Sequence, residues 1–167
     1  ARPVLVDIDL EDFNLSISQV RKKIRKRTQA VVVPHLFGCP AAMEELEDLK
    51  TLVIEDGTQA LGAKVGERKV GSFGRLSVFS FYATKMITTG EGGMIVTDFR
   101  PLAEKFRDLR DYDKKTIHRP RANAKMTDLE AALGIEQLKK LPEFVRRRRE
   151  IASLYQEAFE STGFVIP

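Results

Sequence analysis

The chain has 167 residues, 43% hydrophobic and 31% charged, which is the balance of a folded domain with its own core and excludes a disordered segment. The formal charge is +4, and its conspicuous basic runs are RKKIRKR at 21–27 and RRRR at 146–149. Apolar residues keep helical spacing through both (Val20 and Ile24; Val145, Ile151 and Leu154), so they read as solvated helix faces, and no nucleic-acid partner is expected. The single cysteine, Cys39, rules out an internal disulfide and reads as a small packing residue, and the two separated histidines form no zinc cluster. No apolar run is long enough for a membrane span, and the first residues, ARPVLVDIDL, lack the order of a signal peptide. A cytoplasmic setting is therefore expected.

In chain order, Val4 to Ile8 is the first apolar run, followed by a helix that Ser16 or Ser18 caps and that extends to about Arg27. Ala30 to Val33 predicts a strand. After the turn at Gly38 to Pro40, Met43, Leu46 and Leu49 recur at helical spacing, and Leu52 to Ile54 predicts a strand ending in Glu55 and Asp56. Two further apolar segments, Ser77 to Phe81 and Met94 to Thr97, precede a helix over about Pro101 to Arg110. A polar connection from about Asp111 to Lys125 leads to a helix over Thr127 to Leu138 and, after Pro142, to another reaching about Glu160. Continuous apolar runs suit strands buried on both faces. The alternation predicts an α/β fold in three layers, with a mostly parallel sheet covered by helices. The final FVIP resembles the start of another extended segment, so the chain is expected to be part of a longer one.

Sheets of this kind bind ligands beyond the carboxyl ends of their strands. Asp56 ends one strand, the Pro34 to Gly38 turn follows another, and Lys85 lies just past a third, before Gly90, Gly92 and Gly93. One reading is a structural ion pair between Asp56 and Lys85, with the glycines forming a tight turn between strands. The other is a cofactor site. Pyridoxal phosphate needs an amine for a Schiff base, a carboxylate for its ring nitrogen, and donors for its phosphate and phenolic oxygen. Lys85, Asp56, Ser80 and Gln59 supply those groups. His35 reads as a satisfied strand-end histidine and His118 as a solvated one.

The stretches VLVDID, VVVPHLFGCPAAM, VIEDGTQALGA, VGSFGRLSVFSFYATKMITTGEGGMIVT and NAKMTDLEAALGIEQLKKL, in this order, resemble the DegT-type aminotransferases that act on nucleotide-linked keto-sugars. The resemblance covers nearly the whole chain. It implies fold type I of the pyridoxal phosphate enzymes, with residues 1–112 forming part of the cofactor-binding large domain. Residues 113–126 would be a connecting loop, and 127–167 helices leading toward a small carboxyl-terminal domain. It also implies that Lys85 holds the cofactor covalently and shuttles the proton, that Asp56 pairs with the ring nitrogen, and that Gln59 lies near the phenolic oxygen. Ser80 would bond the phosphate. Asn123 would reach the phosphate in the neighbouring subunit, which implies a homodimer. Glutamate is the implied amino donor. Family members often carry alanine at the position of Gly57 and histidine at that of Leu61, and they have an upstream phosphate cradle and aromatic stacker that these residues do not include. Two other readings stand beside this one: a sugar dehydratase with a related fold, in which histidine replaces the lysine, and a binding or regulatory module that keeps the fold without turnover.

Overall fold

The computed structural model describes residues 1–113 and 116–163. The FVIP segment expected to be extended lies outside the described residues. A four-stranded sheet runs in the order β1 (Ala30–Pro34), β2 (Leu52–Asp56), β5 (Leu76–Ser80), β6 (Gly93–Val96). The strands β1, β2 and β5 are parallel, with Pro34, Asp56 and Val78 in register, and β6 is antiparallel to β5. The sheet is therefore mostly parallel, and it brings Pro34, Asp56 and Ser80 to one end. A small hairpin, β3 (Lys64–Val65) and β4 (Arg68–Lys69), interrupts the path from β2 to β5.

Helix α1 (Ile17–Lys23) lays Ile17 and Val20 on Val31 and Val33 of β1, and Ala41, Met43 and Leu46 complete that core. It ends earlier than its sequence pattern predicts because Ile24 turns to an extended conformation. Two members of the basic run, in the last turn of the helix, are taken up locally: Arg21 pairs with Asp48 at 2.7 Å, and the Lys23 amine donates to the Leu5 carbonyl. Val4 to Ile8 forms no strand and contributes only an isolated bridge between Ile8 and Leu15. The segment expected to form a helix from Met43 is a single 3-10 turn, Met43–Leu46, which is long enough to seat two side chains in the core. The expectation of strands buried on both faces also fails. Val32 is 55% exposed between buried Val31 and Val33, and β6 is exposed throughout. Cys39, expected to pack, is exposed.

Helix α2 (Arg100–Leu109) starts with proline in its first turn, where a missing N–H costs nothing. The connection after it is tied back to its end. Asp108 pairs with Arg119 at 2.5 Å and Arg121 at 3.0 Å, and Lys125 pairs with Asp111 at 3.2 Å. Helix α3 is one continuous element, Asp128–Phe159, in place of the two helices that Pro142 suggested. A capping box starts it: Thr127 and Glu130 each accept the other's backbone N–H. Pro142 removes one donor from the interior, a loss that a helix of 32 residues absorbs without ending. Gly134 of α3 rests on Thr89, and Leu141 and Val145 rest on Gly62. Those contacts carry the helix across the sheet end that holds Asp56, Ser80 and Lys85. None of the described helices is long and apolar enough to cross a membrane.

Candidate functional site

Adjacent residues of a strand face opposite sides, so Glu55 and Asp56 serve different places. The Glu55 carboxylate is fully buried and accepts from five donors. These are the N–H groups of Gly71 (2.7 Å), Phe73 (2.8 Å) and Gly74 (2.6 Å), the Ser77 hydroxyl (3.1 Å) and His35 Nε2 (3.2 Å). Burial works against its charge, but the bonds from His35 and the backbone outweigh it and hold the acid at about 2. His35 is itself buried and accepts the Ala41 N–H on Nδ1 at 3.0 Å, which leaves Nε2 to carry the proton toward Glu55. Both ring nitrogens are thus satisfied, as the sequence predicts for this histidine. Asn14 adds two more ties to the same turn, accepting from Leu36 N–H and donating to the Cys39 carbonyl.

On the other side of β2, Asp56 is half-buried and its Oδ1 accepts the Thr58 N–H at 3.1 Å. That bond turns the chain so that Thr58, Gln59 and Ala60 enter the wall of a cavity of about 510 Å³. Ser80 at the end of β5 and Thr84, Lys85 and Met86 after it form the opposite wall. The segment carrying Lys85 is held by a turn, Lys85 N–H to the Tyr82 carbonyl at 3.0 Å. Thr89 N–H and the Thr88 hydroxyl then both donate to the Phe81 carbonyl, so the loop folds back on its own strand. Gly92 lets this loop close: its φ is +145°, and a Cβ there would lie 2.6 Å from the Thr89 hydroxyl. Gly90, Gly92 and Gly93 are absent from the cavity wall, so they act as the tight turn between strands.

The polar groups at the wall have capacity left over. The half-buried Lys85 amine has no hydrogen bond or ion pair among the described residues, so Asp56 and Lys85 do not form the ion pair that was one reading of the sequence. Gln59 Oε1 accepts the Phe37 N–H at 3.0 Å, which leaves its amide N–H groups to donate. The Ser80 oxygen accepts from Tyr82 N–H at 3.3 Å, and its proton is bound to no group among the described residues. Lys85, Gln59 and Ser80 thus meet at one cavity, and Asp56 stands next to it through Thr58. Asn123 does not join them. It is exposed, in a segment whose neighbours Ala122 and Ala124 donate to the carbonyls of Leu109 and Arg110 at the end of α2.

Two contributions are not read from the sequence. Phe37, 75% exposed at the wall, adopts a left-handed backbone with φ +55°. Val145, Arg148, Arg149 and Ala152 of α3 also line the cavity, so half of the arginine run, though exposed, borders the site. An i, i+4, i+7 repeat from Val145 to Ala152 is visible in the sequence, but what that face covers is not.

The sequence profile of the DegT/DnrJ/EryC1/StrS aminotransferase family matches residues 1–167. The chain is 37% identical to GDP-perosamine synthase of Escherichia coli O157:H7, over 96% of the chain and 47% of that protein. Among solved structures it superposes on PseC of Helicobacter pylori, an aminotransferase involved in the biosynthesis of pseudoaminic acid. The TM-score is 0.91 and the identity 32%, covering 98% of this chain and 47% of that one. It also superposes on an E. coli GDP-4-keto-6-deoxy-D-mannose-3-dehydratase with bound hydrated pyridoxal phosphate (PLP), with a TM-score of 0.85 and 27% identity over 93% of this chain and 47% of that one. The fold is that of type I pyridoxal phosphate enzymes. The chain spans about half the length of the curated relatives it matches.

Proposed function

Because the chain belongs to the DegT/DnrJ/EryC1/StrS aminotransferase family, we propose that the protein is a pyridoxal phosphate-dependent aminotransferase that moves an amino group, with glutamate as donor, to a nucleotide-linked keto-sugar. The observation that carries this reading is the Lys85 amine, half-buried and without a partner among the described residues, at the wall of a cavity that also receives Gln59 and Ser80. The donor set fits the cofactor: an amine for its aldehyde, a hydroxyl with a proton to give to its phosphate, an amide for its phenolic oxygen, and a carboxylate on the adjoining strand end. When bound, pyridoxal phosphate supplies an aldehyde that links to amines and a protonated ring that draws electrons from the substrate carbon.

The protein's own groups do the rest. Lys85 would hold the cofactor covalently, and its Nζ, kept within reach by the turn, would take and return the proton. Asp56 would pair with the protonated ring nitrogen through its second oxygen, since Thr58 uses only Oδ1. Gln59 and Ser80 orient the ring and the phosphate. Asn123, exposed and away from the wall, serves the site of a second subunit in a homodimer. In this reading residues 1–112 belong to the large domain, 113–126 connect, 127–167 lead toward a small carboxyl-terminal domain, and the enzyme is cytoplasmic. The likeness to the dehydratase reflects the shared fold, whereas Lys85 favours amino transfer, since that branch carries histidine in its place. The test is borohydride reduction of the complete protein with pyridoxal phosphate, followed by peptide mapping. The label is expected on Lys85, and a label on another lysine sinks the assignment.

A further inference from the structure

The four consecutive arginines of α3 divide into two kinds. Arg146 and Arg147 both pair with Glu150 and lie outside the cavity wall. Arg148 and Arg149 are in the wall, and neither guanidinium has an ion-pair or hydrogen-bond partner among the described residues. With Lys85 they make three cations in a wall that contains no carboxylate. Unpaired like charges around one cavity repel each other, and an anion relieves that repulsion.

We propose that Arg148 and Arg149 bind the diphosphate of the nucleotide-linked substrate, an inference that rests on the reading of this cavity as the transamination site. The geometry favours a diphosphate over the donor's carboxylate. Consecutive residues of a helix diverge by about 100°, so two guanidinium groups reaching one cavity from adjacent positions present two separate forks, not one. Each fork donates to two oxygens of a phosphoryl group. Glutamate has two carboxylates, but its α-carboxylate must stay beside the amine that reacts, so only one can pair with a fork away from Lys85. A diphosphate carries two phosphoryl groups on one bridging oxygen, one for each fork. Helix α3 is also suited to set that distance. Leu141 and Val145 seat it on Gly62, in the segment that carries Gln59, so the anion site and the cofactor site are held by one packing contact.

The test uses the complete protein loaded with pyridoxal phosphate and titrated calorimetrically with GDP, with UDP and with glutarate as the donor's stand-in. Arg148→Ala and Arg149→Ala are each expected to weaken both nucleotides about tenfold, the size of one lost charge-assisted contact. The double variant is expected to lose more and to show a flatter salt dependence. Arg146→Ala with Arg147→Ala, the exposed pairs, is expected to change affinity less than about twofold. Nucleotide affinity that is unchanged in the Arg148 and Arg149 variants, or a loss confined to glutarate or to pyridoxal phosphate itself, overturns the inference. Borohydride labelling of Lys85 is read on the same samples. A labelled Lys85 with indifferent arginines sinks this inference alone, and an unlabelled Lys85 sinks the reading of the cavity.

Discussion

Glu55 and Lys85 are both ionisable groups near the carboxyl end of the same sheet, yet the fold treats them in opposite ways. Glu55 is fully buried and receives five hydrogen bonds, from three backbone N–H groups, a hydroxyl and an imidazole. Lys85 is half-buried and its amine donates none among the described residues. Leaving a buried polar group unpaired costs about 1–3 kcal/mol, so a group that the fold uses for itself is saturated. The Lys85 amine reaches solvent at the cavity wall, so no such cost falls on it and it stays available to a ligand. Saturation marks the structural carboxylate, and an open amine at a cavity wall is what the role proposed for Lys85 requires, although both belong to ordinary strand-end sequence.

The sharpest way to break this comparison is to remove both groups. Lys85→Ala is expected to leave the unfolding midpoint nearly unchanged, since the amine makes no hydrogen bond or ion pair among the described residues, while turnover of the complete protein falls by at least about 10³-fold. Chemical denaturation and steady-state rates on the same sample check both halves. Glu55→Ala is expected to do the reverse, destabilising the fold by about 3–5 kcal/mol because three N–H groups, a hydroxyl and His35 lose their acceptor. Its pH dependence is a second signature. The folded acid is held at about 2 against an ordinary value of 4.5, so its contribution is complete above 4.5 and is lost as pH falls toward 2. That gap corresponds to about 3 kcal/mol. Urea titrations between neutral pH and pH 2 should show this loss in the native protein and not in the variant.

Asp56 sharpens the comparison because it stands between the extremes, with one oxygen bonded to the Thr58 N–H. Asp56→Asn keeps an oxygen for that bond, so the fold and much of the cofactor affinity should survive. Turnover should drop about a hundredfold, because the ring nitrogen loses its charged partner. Unchanged turnover would place the functional carboxylate elsewhere.

The contrast also explains how much could be read in advance. The strands β1, β2, β5 and β6 are legible because each contains a continuous apolar run, and helix α2 because its apolar residues keep helical spacing. The hairpin β3–β4 has two residues per strand and shows none. Pro142 suggested a boundary because proline disfavours helix locally, but a long capped helix seated on Gly62 overrides that preference. Lys85, Asp56, Gln59 and Ser80 could be named because their types match a cofactor's needs. The roles of Glu55 and of Arg148 and Arg149 could not. Glu55 acts through the N–H groups of Gly71, Phe73 and Gly74, which any residue type supplies, and the arginines depend on where α3 crosses the sheet end.

The smallest expected effect tests how closely the two regions are coupled. The Phe79 ring lies between two positions that lack a Cβ. A Cβ at Gly57 would come within 2.6 Å of the ring, and one at Gly71 also within 2.6 Å. Gly57 follows Asp56 and Gly71 donates to Glu55, so the ring sits where the saturated cluster meets the cavity end of β2. Alanine at position 57 is expected to cost about 1–2 kcal/mol, because the ring must leave its place in a packed site. The cost belongs to the pair and not to the backbone, since Gly57 is not among the glycines with positive φ. Phe79→Leu should therefore recover most of it in the double variant, with a coupling energy well beyond the few tenths of a kcal/mol expected of independent sites. Simple additivity in a urea-denaturation cycle would show that the ring moves without strain. Phe79 precedes Ser80 on β5, so the same cycle read by pyridoxal phosphate affinity would reveal whether the packed side of the sheet sets the position of the hydroxyl on the open side.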